Sequence, residues 1–180
     1  MHKDVQRVLV DNRTIKQKVR KLANVINKDY KHKKPILIGI LKGCLPFYNE
    51  LFLQLTCDPT MDFMIVSSYA GVRAQNVKIV ADLRQNIAKR HVVIVEDIVD
   101  TGKTLERIIA ILKLRKPASI KVVCLLDKPN CRIGNFKPDY TCFKIDPVFA
   151  IGYGLDYNER YRNLPYIGEL KKLIYAKMSK

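Results

Sequence analysis

The spacing of hydrophobic residues predicts a helix followed by a buried strand in the first part of the chain. Ile15, Val19, Leu22 and Ile26 recur every three or four residues, which is the pattern of an amphipathic helix. The run 35–41 (PILIGIL) is short, apolar and rich in β-branched residues. A strand that is buried on both faces, as in a parallel sheet, has this composition.

The remaining hydrophobic runs continue this alternation. A second helix begins near Pro46, which suits a first helical turn, and it places Phe47, Leu51 and Leu55 on one side. Further strands are expected at 62–67, 77–81, 91–95, 120–126 and 148–151, with a helix at 103–114. Alternating strands and helices predict an α/β fold with a parallel sheet, in which ligands bind beyond the carboxyl ends of the strands.

Length and composition indicate one folded domain. The chain has 180 residues, of which 48% are hydrophobic, and it contains no repeat, low-complexity tract or Pro/Gly-rich linker. These values exclude a disordered chain. Its apolar runs are far shorter than the ~18 residues that a membrane span needs. The first residues lack the apolar stretch of a signal peptide. We therefore expect a cytoplasmic protein with no membrane partner.

The charge of the chain is strongly positive but does not identify a partner. Lys and Arg number 33 against 17 Asp and Glu, giving a net charge of +16 and a pI of about 9.7. The excess is scattered along the chain. It is compatible with nucleic acid, with an anionic small substrate, or with a lysine-rich protein background.

Cysteine and histidine residues point away from disulfide and zinc chemistry. The five cysteines form no C-x-x-C pair, and several lie within apolar runs. Their odd number and spacing favour buried thiols in a reducing compartment. The three histidines are far apart in the sequence, so we expect no metal site from them.

The segment that follows the strand at 91–95 has the features of a phosphate-binding turn. It has the sequence EDIVDTGKT (96–104) and leads directly into a predicted helix. Gly102 permits a tight turn, Thr101 and Thr104 supply hydroxyl groups, and the first N–H groups of the helix are free to bind an anion. It is not a Walker A loop, because Asp97 stands where that pattern requires glycine.

Three acids, Glu96, Asp97 and Asp100, crowd the same strand end. Bare carboxylates would repel a phosphate, so they need another purpose. They would accept hydrogen bonds from sugar hydroxyls, bind Mg²⁺ or transfer a proton. A stabilising effect on the helix dipole explains one or two acids in a first turn, but it does not explain a pair that closes the strand.

The segment 92–104 (VVIVEDIVDTGKT) resembles the phosphoribosyl pyrophosphate signature of type I phosphoribosyltransferases, in the form of the hypoxanthine-guanine branch. The resemblance extends from 8–10 to 165–168, through motifs at 41–43 (LKG), 67–69 (SSY), 126–129 (LDKP), 137–140 (KPDY) and 152–157 (GYGLDY). It implies a central parallel sheet flanked by helices, with a core at about 10–130. A small hood would come from the N-terminus and about 131–180.

The resemblance also implies the roles of the acids and of the phosphate turn. Glu96 and Asp97 would hold the ribose 2′- and 3′-hydroxyls, and Asp100 would act as general acid/base at the purine N7. The 5′-phosphate would be held by Asp100 and the residues after it: Thr101, Gly102, Lys103 and Thr104. The implied Mg²⁺ ligands are Glu96, Asp97 and Asp156.

The other implied contacts come from separate parts of the chain. Lys42 and Gly43, in a turn that often contains a cis peptide bond in this family, would bind pyrophosphate together with Arg162. The implied purine contacts are Lys128, Phe149, Ala150 and Leu155. A cation at Lys128 favours a 6-oxopurine, since the 6-amino group of adenine offers it no acceptor.

Ser68 and Tyr69 would begin a lid that excludes water from the reaction. Here the chain departs from the pattern, because Ala70 replaces the usual glycine and 71–76 is short.

The expected activity is therefore purine salvage, with phosphoribosyl pyrophosphate and a 6-oxopurine base as partners, Mg²⁺ as cofactor and a homodimer or homotetramer as assembly. A relative that prefers xanthine is one alternative. Another is an RNA-binding regulator on the same fold, although no basic stripe interleaved with aromatics stands out, so we expect no nucleic acid partner.

Overall fold

The computed structural model describes residues 1–68 and 77–176. In chain order its strands and helices are β1 (Val5–Val10), α1 (Asn12–Asp29), β2 (Ile36–Leu41), α2 (Leu45–Phe52), β3 (Thr60–Ser68), β4 (Val77–Ala81), β5 (His91–Val99), α3 (Lys103–Lys113), β6 (Ser119–Asp127), β7 (Tyr140–Lys144), β8 (Ala150–Ile151), β9 (Ile167–Leu170) and α4 (Lys172–Tyr175). A single 3-10 turn, Pro129–Cys131, follows β6.

The larger of two sheets in these residues has the strand order β4-β3-β2-β5-β6-β7. Strands β3, β2, β5, β6 and β7 run parallel, and β4 alone pairs antiparallel, with β3. The chain crosses from β2 over to β3 and back to β5, which brings β2 and β5 side by side at the centre. The carboxyl ends of these two strands therefore lie next to each other, where a ligand site is expected.

Helices cover both faces of this sheet, because its central strands are apolar on both sides. On one face, α1 and α2 pack through residues such as Ile15 and Phe47 against Leu37 and Val93. On the other face, Ile108 and its neighbours in α3 pack against the alternate residues of β2, β5 and β6. This architecture confirms the predicted α/β fold class.

A smaller antiparallel sheet joins the two ends of the chain. β9 pairs with both β1 and β8, in the order β1-β9-β8. Val5 lies opposite Leu170 in this pairing, and both side chains are buried with Ile151 in a separate apolar cluster. This sheet corresponds to the hood that was expected from the terminal segments, while the residue bounds given for the two parts stay a prediction.

The structure corrects two element boundaries. β5 continues to Val99 instead of ending at Val95, so that Glu96 and Asp97 lie within a strand and not beyond it. The strand extends because Ile98 and Val99 also pair with β6. α2 ends at Phe52, which leaves Leu55 outside the helix, although Leu55 still packs against the core. In the described part of the chain, no helix has the length and hydrophobicity to cross a membrane.

The packing of α2 against the core predicts which of its leucines contribute to stability. Leu51 is fully buried, whereas Leu53, at the end of the same helix, is 75% exposed. Leu51→Ala should lower the free energy of unfolding by about 2–5 kcal/mol, because it leaves a cavity in the core. The matched variant Leu53→Ala should change it by no more than about 0.5 kcal/mol. Urea denaturation of both variants is the measurement, and equal losses would contradict this assignment of the core.

Candidate active site

The turn between β5 and α3 forms the first part of the site. Gly102 adopts a left-handed backbone conformation (φ 83°) immediately before α3 begins, which explains the need for glycine there. Side chains of Arg132 and Phe136 pack closely over it, since an added Cβ would lie 3.1 Å from atoms of both. Residues 100–102 and Thr104 line a cavity of about 160 Å³ together with Glu96. The first turn of α3 therefore borders a small recess through Gly102 and Thr104, which is where an anion site at a helix N-terminus would lie.

Glu96 and Asp97 place two carboxyl groups inside the sheet. Asp97 is only 8% exposed, and Oε2 of Glu96 is buried without a hydrogen-bond partner. Burial raises the pKa of Glu96 well above its usual range, and the neighbouring Asp97 raises it further. Burial also raises the pKa of Asp97. Adjacent buried acids of this kind are typical of sites that hold a ligand or a cation.

The turn after β2 packs directly against these acids. The Leu41–Lys42 peptide bond is cis, as the resemblance implied for this turn. Gly43 lies so close to Asp97 that a Cβ at position 43 would overlap its carboxylate. The carbonyl oxygen of Gly43 in turn lies where a Cβ of Gly154 would be. The turn after β2 is thus packed between Asp97 on one side and the backbone at Gly154 on the other.

A larger cavity of about 450 Å³ opens between the end of β5 and the segment 147–156. Apolar residues form one part of its wall, among them Ile98, Phe149 and Leu155. Asp97, Asp100, Lys128 and Asp156 supply its charged groups. An apolar cavity with a few polar groups at one end is the usual form of a site for a small planar ligand.

Asp100 and Lys128 lie side by side in the wall of this cavity. Nζ of Lys128 lies 3.4 Å from Oδ2 of Asp100, and the lysine side chain is only 10% exposed. Arg132 donates a hydrogen bond of 2.7 Å from Nη1 to the carbonyl oxygen of Asp100. Nη2 of Arg132 is ion-paired with the buried Asp127. Arg132 therefore fixes the backbone of Asp100 relative to the end of β6.

A network of charged side chains links the β2 turn to the segment 154–162. Arg162 donates to the carbonyl oxygen of Gly154 (2.8 Å) and pairs with Asp156 (2.9 Å). It also pairs with Glu159 at 3.2 Å. The second oxygen of Glu159 lies 2.9 Å from Nζ of Lys42. The two cations expected to bind pyrophosphate are therefore held together by one acid.

Most of the predicted site residues lie in these connected regions. The larger cavity is lined by Asp97, Asp100, Lys128, Phe149, Ala150, Leu155 and Asp156, and the smaller one by Glu96, Asp100, Thr101, Gly102 and Thr104. Lys42, Gly43 and Arg162 belong to the adjoining network, and Lys103 begins α3 without lining either cavity. Tyr69 and 70–76 are outside the described residues, and Ser68 ends β3. The roles of all these residues stay predictions.

Sequence reasoning missed several residues of the site. Arg132 and Glu159 contact other charged groups, and no short motif marks either of them. Cys131 and Tyr175 line the larger cavity. Tyr175 comes from α4, and its ring stacks on Phe149 with centroids 5.1 Å apart. Contacts of this kind depend on tertiary structure and leave no periodic signal in the sequence.

The carboxylates fit a magnesium ion only with help from a substrate. Within the described residues, no three His, Cys, Asp or Glu side chains converge into a metal site. Mg²⁺ usually keeps several waters and takes one or two carboxylates plus phosphate oxygens of a substrate. Glu96 and Asp97 on one side, and Asp156 on the other, suit that arrangement. The unpartnered Oε2 of Glu96 is an acceptor that such a group would satisfy.

Comparison with known proteins defines the class of enzyme to which this site belongs. The family model of the phosphoribosyl transferase domain matches residues 6–158. That range includes every residue that lines the smaller cavity and all of those that line the larger one except Tyr175, whereas Glu159 and Arg162 of the charged network lie beyond it. The chain belongs to the phosphoribosyltransferase family.

The most similar relatives narrow this to one branch of the family. The hypoxanthine-guanine phosphoribosyltransferase of Streptococcus pneumoniae is 48% identical over 98% of this chain and 99% of the relative. That of Streptococcus pyogenes is 44% identical, with the same coverage. The crystal structure of a hypoxanthine phosphoribosyltransferase from Staphylococcus aureus has a TM-score of 0.94 at 42% identity, covering 97% of this chain and 96% of that one. Within the family, the chain is a member of the hypoxanthine-guanine phosphoribosyltransferases of purine salvage.

The raised pKa of Glu96 makes a prediction about pH. As the pH rises above about 4.3, a glutamate in the unfolded chain loses its proton, whereas the buried Glu96 keeps it. The contribution of Glu96 to the free energy of unfolding therefore falls as the pH rises toward its higher pKa in the folded state. In Glu96→Gln this contribution is absent. The measurement is urea denaturation of the magnesium-free protein and the variant between about pH 4.5, near the ordinary pKa of glutamate, and about pH 7. As the pH rises, the free energy of unfolding of the original protein should fall relative to that of the variant. Identical slopes would contradict burial of the acid.

Proposed function

We propose that this protein transfers the 5-phosphoribosyl group of phosphoribosyl pyrophosphate to hypoxanthine and guanine and releases pyrophosphate. The observation that carries the proposal is the pairing of Asp100 with Lys128 in the larger cavity, at 3.4 Å, directly beside the anion-binding turn. A proton-transfer group, a purine-reading cation and a phosphate site are thereby within reach of one bound nucleotide. The names of the S. pneumoniae and S. aureus relatives support the same substrates.

The sugar phosphate would occupy the two cavities jointly. The 5′-phosphate would lie in the small recess, where the N–H groups at the start of α3 and the hydroxyls of Thr101 and Thr104 face it. The ribose hydroxyls would then reach Glu96 and Asp97 on β5. Because these acids are buried with raised pKa values, a sugar hydroxyl or a cation would supply the partner that Glu96 lacks.

The purine would lie in the apolar part of the larger cavity, against Phe149 and Ile98. Lys128 would donate to the 6-oxo group. A bond would form from a purine nitrogen to the anomeric carbon, while the bond from that carbon to the pyrophosphate oxygen breaks. Asp100 would accept the proton that the base must lose, and Arg132 would hold its backbone in place.

Pyrophosphate would leave through the corner of Lys42, Gly43 and Arg162. The guanidinium fork of Arg162 suits a phosphate group, and the turn at Gly43 packs against Asp97, which would place pyrophosphate next to the ribose site. Mg²⁺, bound by Glu96, Asp97 or Asp156 with oxygens of the substrate, would neutralise the charge of the leaving group. We further propose a cytoplasmic homodimer or homotetramer with no nucleic acid or membrane partner.

Substrate specificity is tested by measuring nucleotide formation from phosphoribosyl pyrophosphate and Mg²⁺ with five bases in turn: hypoxanthine, guanine, xanthine, adenine and uracil. We expect product with hypoxanthine and guanine and none with adenine, because Lys128 needs a 6-oxo acceptor. A preference for xanthine would correct the base assignment. Absence of product with every 6-oxopurine would refute the proposed function.

The role of Asp100 is tested by Asp100→Asn, which keeps the shape of the side chain and removes its ability to accept a proton. The turnover number should fall about 10²–10⁴-fold, the usual contribution of a general acid or base. The affinity for the nucleotide product should change much less. Steady-state kinetics and calorimetric titration of the nucleotide separate these effects, and unchanged turnover would remove Asp100 from this role.

A further inference from the structure

Glu159 lies between the two cations of the charged network, Lys42 and Arg162. One of its carboxylate oxygens lies 2.9 Å from Nζ of Lys42, and the other lies 3.2 Å from Nη2 of Arg162. These are the two cations that the proposed function assigns to the leaving group. A carboxylate that bridges both of them presents the same kind of oxygen acceptors that a pyrophosphate would present.

We propose that Glu159 is a built-in competitor of pyrophosphate, which neutralises Lys42 and Arg162 when the site is empty and must be displaced when substrate or product binds. The inference rests on the proposed function, because it takes the assignment of these two cations from it. It adds a residue that lowers the affinity for pyrophosphate.

The exposure of these groups makes the exchange feasible. The side chains of Glu159 and Lys42 are 65% and 67% exposed, so water and salt screen their attraction strongly. The neighbouring cations lower the pKa of Glu159, which keeps it ionised in this position. A polyanion with more charges and more acceptor oxygens than a single carboxylate would therefore win the competition.

Displacement of Glu159 would leave the site intact. Arg162 keeps two partners that do not involve Glu159, the carbonyl oxygen of Gly154 and the carboxylate of Asp156. The backbone N–H of Glu159 donates to Asp156 at 2.9 Å, which anchors the main chain while the side chain is free to move away. The guanidinium group thus stays oriented for a ligand with or without its third partner.

The affinity for pyrophosphate is therefore lower than the two cations alone would give. Each ion pair at such exposure contributes little, so loss of the carboxylate should strengthen pyrophosphate binding only about two- to fivefold. The direction of the change is the informative quantity. If Glu159 merely supported the fold or oriented the cations, its removal would weaken binding instead.

The test uses inorganic pyrophosphate with Mg²⁺, titrated calorimetrically into the full-length protein and its variants. Glu159→Gln and Glu159→Ala should both lower the dissociation constant about two- to fivefold, lower the KM for phosphoribosyl pyrophosphate in the same direction, and leave the affinity for the nucleotide product unchanged. The control Asp58→Asn removes a similarly exposed, lysine-paired acid near the amino ends of β2 and β3, and it should leave all three values unchanged.

A further variant separates the inference from the proposed function. Arg162→Gln should weaken pyrophosphate binding at least tenfold, since it removes the guanidinium fork. If it does not, the assignment of this corner to pyrophosphate is wrong, and the proposed function loses its leaving-group site. If Arg162→Gln weakens binding but neither Glu159 variant tightens it, the competitor role is refuted while the proposed function stands.

Discussion

The central constraint of this structure is the burial of two neighbouring carboxyl groups inside the middle strand of a parallel sheet. Asp97 is enclosed by the β2 turn, where Gly43 leaves no room for a side chain, and Glu96 has a buried oxygen without a partner. An arrangement of this kind is unfavourable for the fold alone, because a buried acid loses its hydration. Such a pair becomes favourable when a ligand that supplies hydrogen bonds or a cation binds at the carboxyl end of the strand.

The rest of the site is arranged around that strand. The continuation of β5 to Val99 carries the chain from the two acids directly to Asp100 and the phosphate turn. The crossover order of the sheet brings the β2 turn alongside. The hood sheet carries Phe149 and Ala150 to the opposite wall of the larger cavity through the pairing of β8 with β9. One ligand can therefore touch three segments that are far apart in the sequence.

Local sequence patterns were sufficient to predict the central elements. α1 has clear helical periodicity, β2 is a continuous apolar run, and the motif at 96–104 predicts a phosphate-binding turn without any structural information. The strands β1, β7 and β9 were missed, because they are short or half-exposed and form only through pairing with distant partners, as Val5 does with Leu170. The contact between Lys42 and Glu159 spans 117 positions, so no window of sequence could reveal it.

The family resemblance implies the roles of individual site residues, whereas the structure shows how those residues contact one another. The resemblance implies that Lys42 and Arg162 bind pyrophosphate, whereas only the structure shows that Glu159 pairs with both of them. In the same way, only the structure shows that Arg132 fixes the backbone of Asp100, a contact that the motif does not contain.

The most direct test of the central claim, that the two buried acids hold the ribose of a bound nucleotide, is a crystal structure of the protein with a 6-oxopurine nucleotide, pyrophosphate and Mg²⁺. We predict the base against Phe149 with Lys128 at its 6-oxo group and the ribose hydroxyls at Glu96 and Asp97; a nucleotide bound elsewhere, with these acids untouched, would contradict it.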